Sequence, residues 1–245
     1  MKNKNAQLTI FIIISILIVA VVVLFFSLRG TLQKEKPVSP EIAPIKNFVQ
    51  TCLDDSLEDV VFKVGENGGY YFPPKVSTPV LEVPYYIKDN KNLMPPKENI
   101  ENEISRGIAR ELIFCLEDFS LFPEYEITKG KMNSPEVVIE SERVFVEVNY
   151  PLTIQKGGSK SKIEDFSSEV PVRLGIVYDA VAEFINGEIE NEEYCASCLL
   201  ESLIKNDLYV NSFDYDENIK IFILRDFNSK INKKEFILNF ANEYS

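Results

Sequence analysis

From residue 9 to residue 28 the chain carries no charged residue, proline or glycine, and only Thr9, Ser15 and Ser27 interrupt a run of Ile, Val, Leu, Phe and Ala. A helix rises about 1.5 Å per residue, so such a run spans a hydrocarbon core of about 30 Å, and it predicts a transmembrane helix. Beyond residue 28 the pattern turns mixed. Residues 1–8 read as a short basic leader, 29–44 as a linker containing Pro37, Pro40 and Pro44, and 45–245 as the domain, with a sub-boundary near 120–135 where the hydrophobic period changes.

The domain opens with helical spacing. Ile45, Phe48, Val49, Cys52, Ser56, Leu57, Val60, Val61 and Val64 share a face, Asp54, Asp55, Glu58 and Asp59 lie opposite, and Gly65 with Gly68-Gly69 marks the end. Between Tyr70 and Pro96 the aromatics Tyr70, Tyr71, Phe72, Tyr85 and Tyr86 are interleaved with six of the 13 prolines. Proline fixes φ and lacks a backbone donor, so this stretch is expected to run extended along a surface or an edge, not inside a sheet. It serves either as an aromatic strip for a partner or as a cover over the core. Pro96 starts a second helix reaching Phe119, with Ile100, Ile104, Ile108, Leu112, Cys115 and Phe119 as its stripe.

The period then falls to two. Val144, Val146, Val148, Tyr150, Leu152 and Ile154 alternate with Phe145, Glu147, Asn149, Pro151 and Thr153 in the manner of a half-buried strand. Val137 to Glu140 should pair with it through Ser141-Glu142, and Gly157-Gly158 should turn the chain into a third strand at 162–172. A helix over 173–188 follows, with Asn191 as the cap of another over 192–205. Alternating segments at 208–213, 220–225 and 236–240 form a second small sheet or extra edges of the first. Helices and strands come in blocks, which makes the class α+β: a transmembrane helix, then a helical layer packed on antiparallel sheet.

Composition narrows the chemistry. With 26 Lys and Arg against 38 Asp and Glu, the formal net charge is −12, which disfavours nucleic acid as a partner. There is no His, so a Ser-His-Asp or Cys-His nucleophile, His-ligated zinc and imidazole proton transfer are excluded. No cofactor or metal is implied. Asp214, Asp216 and Asn218 begin like a calcium loop, but Ile219 replaces its glycine and Arg225 its bidentate Glu, so a hairpin turn is the better reading.

The four cysteines, Cys52, Cys115, Cys195 and Cys198, allow three disulfide pairings. Helical spacing turns Cys52 and Cys115 inward on their two helices, favouring Cys52 with Cys115 and Cys195 with Cys198; the alternative is buried free thiols. Cys195-Ala196-Ser197-Cys198 also has the spacing of a dithiol oxidoreductase, but Glu192 and Glu193 beside it disfavour a thiolate.

The first residues, Met1-Lys2-Asn3-Lys4-Asn5-Ala6-Gln7-Leu8-Thr9, resemble the class III signal peptide of archaeal type IV pilin-like proteins. The resemblance implies leader charges at Lys2 and Lys4, cleavage between Ala6 and Gln7, and Thr9 as the hydroxyl position. It departs from that pattern at Phe11, where filament-forming members carry Glu, and at Ala6, where Gly is usual. The resemblance covers only this terminus.

These features give an expectation of a single-pass envelope protein with its bulk outside the cytoplasm. It would contact lipid through residues 9–28 and act structurally or by binding a protein partner or its own kind, as a pilin-like assembly subunit does. The alternative is a membrane-anchored enzyme, either a C-x-x-C thiol-disulfide oxidoreductase or a carboxylate-based hydrolase.

Overall fold

The computed structural model describes residues 40–191 and 196–244. The leader, the expected transmembrane segment, Ala6 and Gln7 therefore lie outside the described residues. Among the described residues no helix is long and apolar enough to cross a membrane.

Helix α1 (Ala43–Glu66) starts with Pro44 in its first turn and packs on three sides. One side meets α2 (Lys97–Leu116), another the strand at Ser159–Val170, and its C-terminal end the strands at Ile219–Ile231 and Lys234–Glu243. That is why Leu53, off the predicted stripe, is as buried as Val49 and Leu57. A helix enclosed by several elements needs apolar residues beyond one face. Beyond Glu66 the chain turns through Gly68 and Gly69 at φ of +57° and +89°, and the Gly69 amide donates to the Val64 carbonyl at 2.8 Å.

The first sheet has the order β2-β1-β9-β8-β7: Lys91–Asn92, Tyr85–Lys88, Lys234–Glu243, Ile219–Ile231 and Tyr209–Asp216. Its pairs are antiparallel except β1 with β9, which run parallel. This corrects the expectation that the proline-rich stretch stays out of a sheet interior, because β1 lies between β2 and β9. Pro84 stands just before β1 and Pro95 well after it, so no ladder position falls on a residue lacking an N–H. The three terminal segments belong to this sheet and not to the edges of the other.

The second sheet is built on β5 (Val144–Lys156), whose alternating burial follows the period-two pattern. β6 (Ser159–Val170) pairs along one edge through the Gly157-Gly158 turn, with φ of +55° and +88°. Along the other edge β4 (Glu136–Ile139) takes the first half and β3 (Glu126–Lys129) the second. β5 is irregular between Asn149 and Leu152, where Pro151 sits and its carbonyl accepts from the Gly130 amide at 2.7 Å. Glu41–Ser245 forms one unit, and the 120–135 segment supplies β3 to it instead of separating two domains.

Two helix ends differ from expectation. α2 stops at Leu116, and Glu117, Asp118 and Phe119 follow in the left-handed region at φ of +39°, +56° and +60°. Phe119 lies 6.3 Å from Phe48 and Phe122 lies 5.1 Å from it, so ring packing on α1 rewards the reversal. α3 (Leu174–Asn191) runs past residue 188, so Asn191 is its last residue and not a cap; α4 (Ala196–Asn206) follows. α3 covers the first sheet through Phe184, against Phe222 at 5.4 Å and Phe240 at 6.3 Å. Tyr86, Phe240 and Phe222 stack in succession across β1, β9 and β8 with centroids 4.8 and 5.0 Å apart.

Candidate functional site

Cys52 and Cys115 are joined by a disulfide with their Cα atoms 5.7 Å apart, tying α1 to the last turn of α2; Cys52 is buried as expected, but Cys115 is exposed, because it sits at the helix end beside the buried stripe that closes on Leu112 and Leu116. Gly107 permits the close crossing earlier along α2, since a Cβ there would meet Val60 Cγ1 at 2.6 Å. Cys195 lies outside the described residues and Cys198 falls in α4, so the Cys195–Cys198 pairing falls outside what the structure describes.

The aromatic strip does not form one exposed surface. Tyr71, Tyr85 and Tyr86 are buried, Tyr70 is half-buried and Phe72 alone is exposed. The Tyr86 hydroxyl donates to the Gly68 carbonyl at 3.2 Å, and the Tyr71 hydroxyl donates to Glu111. Burial pushes the Tyr86 phenol well above its ordinary value and, with the Glu111 carboxylate next in effect, pushes Tyr71 up to about 12. These tyrosines hold the β1 region to α1 and α2; a partner would find only Phe72, with Arg110 and Lys63 beside it.

The carboxylates are arranged as locks. Asp226, fully buried in β8, accepts from Arg173 Nε at 3.0 Å and from Nη2, from Ser229 Oγ at 2.5 Å and from the Asn228 amide at 3.1 Å. Arg173 also donates to the Asn206 carbonyl at 3.2 Å, so the start of α3, the end of α4 and the irregular part of β8 meet at one ion pair. Glu188 of α3 accepts from Asn242 Nδ2 at 2.6 Å and from the Tyr244 hydroxyl. Asp54 accepts from Ser168 Oγ at 2.6 Å and Gln50 Nε2 at 2.8 Å, fastening α1 to β6 beside an acidic hollow of about 480 Å³ that includes Glu58 and Glu169. The Ser168 hydroxyl donates to the Asp54 carboxylate, which suits a structural clasp. Among the described residues no group of three or more Cys, Asp or Glu could hold a metal ion. Asp214 and Asp216 lie at the end of β7 and Glu217-Asn218 makes the turn into β8, with Asp214 paired to Lys220.

One cleft differs in charge from the rest of the domain. It has a volume of about 610 Å³ and is lined by Phe62 of α1, Arg225, Phe227 and Lys230 of β8, Lys233 of the turn, and Lys234, Glu235 and Ile237 of β9. Four cations thus face one carboxylate, and Glu235 is already engaged by Arg225 Nη1 at 2.6 Å. Arg225 Nε is shielded from solvent and has no acceptor among the described residues. Lys234 lies over the Phe62 ring at 5.1 Å, and Phe227 packs edge-on against Tyr209 at 4.7 Å. Lys230, Lys233 and Lys234 are exposed.

The turn that carries the cleft is itself unusual. Asn232 and Lys233 adopt φ of +51° and +66°, the two-residue hairpin geometry in which Gly is the favoured second residue. Asn232 Nδ2 donates to Asp59 Oδ1 of α1 at 3.2 Å and holds the turn in place. Sequence reading missed this cleft, although residues 225–235 carry four cations in a chain that is acidic as a whole. Phe62 joins them only because α1 crosses the sheet there.

Comparison with known proteins finds no matching family, no matching curated protein and no matching solved structure.

Proposed function

We propose that this chain is a single-pass membrane-anchored protein whose α+β domain lies outside the cytoplasm and has a structural or partner-binding role at the cell envelope. A pilin-like assembly subunit is its more specific form. The observation that carries the reading is the Cys52–Cys115 disulfide, which joins buried Cys52 to exposed Cys115 between two helices, since such bonds persist on the oxidising side of a membrane and are rare in the cytosol. The apolar run at 9–28, long enough for a transmembrane helix, supports an anchor, and the basic leader before it supports processing between Ala6 and Gln7. The side-chain carboxylates Asp226, Glu188 and Asp54 are each engaged in holding elements together, which favours binding or assembly over turnover.

Intact mass of the membrane-extracted chain, alkylated with and without prior reduction, tests this. Loss of residues 1–6, with cysteines protected until reduction, is the expected result. An intact leader together with four freely alkylated thiols would overturn the outward orientation.

A further inference from the structure

We propose that the cleft at the β8–β9 turn binds a compact organic anion, a phosphate or carboxylate borne on an apolar or aromatic body. Lys230, Lys233 and Lys234 supply ammonium groups for the acid, while Phe62, Phe227 and Ile237 supply walls for the body. The volume of about 610 Å³ matches a small molecule or a single projecting side chain. Local charge argues for a compact ligand: the chain is acidic as a whole and repels an extended anionic polymer or lipid surface, whereas a small anion in the cleft meets four cations and a single carboxylate, Glu235, that Arg225 already engages.

Lys233 strengthens the case. A residue with a side chain at φ of +66° is disfavoured relative to glycine, and nothing described in the fold requires a lysine there. Strain retained at a turn is explained when the strained residue serves a site. The cleft gives that residue a use, and the inference stands on the cleft alone, whichever side of a membrane the domain occupies.

Isothermal titration calorimetry of the full chain in nonionic detergent at low salt tests it, with phenyl phosphate, benzoate and inorganic phosphate as probes. Phenyl phosphate should bind about tenfold more tightly than inorganic phosphate, because the ring adds apolar burial, and added salt should weaken it. Benzoate separates a carboxylate preference from a phosphate preference, and tighter binding of either aromatic anion supports the site. Lys233→Gly should raise the melting temperature while weakening binding severalfold, and adding Lys230→Gln should abolish it. Lys160→Gln, at the start of β6 in the other sheet, should change neither. The proposal is overturned if no aromatic anion binds more tightly than inorganic phosphate, or if Lys233→Gly with Lys230→Gln binds as the parent does.

Discussion

Arg173 grips the fully buried Asp226 carboxylate with two nitrogens, joining the residue before α3 to the middle of β8. The guanidinium also reaches the Asn206 carbonyl, so α4 is held by the same pair. Asp226→Ala leaves the guanidinium, the Ser229 hydroxyl and the Asn228 amide without their acceptor. Removal of one partner from a buried ion pair costs about 3–5 kcal/mol. The urea midpoint of the full chain should fall accordingly, and a change below about 1 kcal/mol would mean that water replaces the carboxylate.

The Cys52–Cys115 bond closes a 63-residue separation, for which the chain-entropy estimate is about 4 kcal/mol. Replacing both by Ala should lower stability by about that amount while leaving far-ultraviolet dichroism at low temperature unchanged. The double substitution is preferable to reduction because it confines the change to this one bond.

Gly65 offers a test whose sign is informative. On helix propensity alone, Gly→Ala inside α1 should stabilise by about 1 kcal/mol. A Cβ at this position would press on the Ile237 carbonyl and lie 2.7 Å from the Phe236 ring. Gly65→Ala is therefore expected to destabilise by about 1–3 kcal/mol, as overpacking does. A rise in melting temperature would show that α1 can move away from β9.

Stability should fall in alkali. The Tyr71 phenol is raised from 10.0 to about 12, chiefly by burial and then by Glu111, and burial raises Tyr86 further. A group whose folded pKa exceeds its unfolded value favours the fold below the unfolded value, and that contribution is lost as pH climbs through the folded one. The stability supplied by these neutral phenols is thus complete below pH 10; the Tyr71 share is lost on approach to about 12, while the Tyr86 share is still being lost beyond it. Urea midpoints across that window should decline, and Tyr86→Phe, which keeps the ring stacked on Phe240, should make the decline shallower. An undiminished slope in Tyr86→Phe would assign the effect to other groups.

Elements governed by local periodicity were legible in the sequence. The α1 stripe, the alternation along β5 and the Gly157-Gly158 turn follow from side-chain geometry within a few residues. Elements governed by what they pack against were not. β1 reads as a proline-bounded loop, and its place inside a sheet depends on a parallel pairing with β9, well over a hundred residues away. Likewise α2 carries an unbroken stripe through Phe119, but contact with Phe48 and Phe122 accompanies a left-handed reversal that no local rule anticipates.

The candidate cleft divides in the same way. Its cations lie close together in the sequence, because one hairpin carries all four. By itself the sequence determined the apolar run at 9–28, the absence of imidazole chemistry, the α+β class and the inward face of Cys52, since each depends on residue identity or short-range spacing, whereas Cys115, expected to face inward as well, is exposed at the end of its helix. Only the tertiary structure decided that the tyrosines of the strip face the core, that Asp226 meets Arg173, and that Phe62 completes a basic cleft. Those contacts bring distant segments together, and their energy depends on burial and geometry that appear only after the helices and sheets have packed.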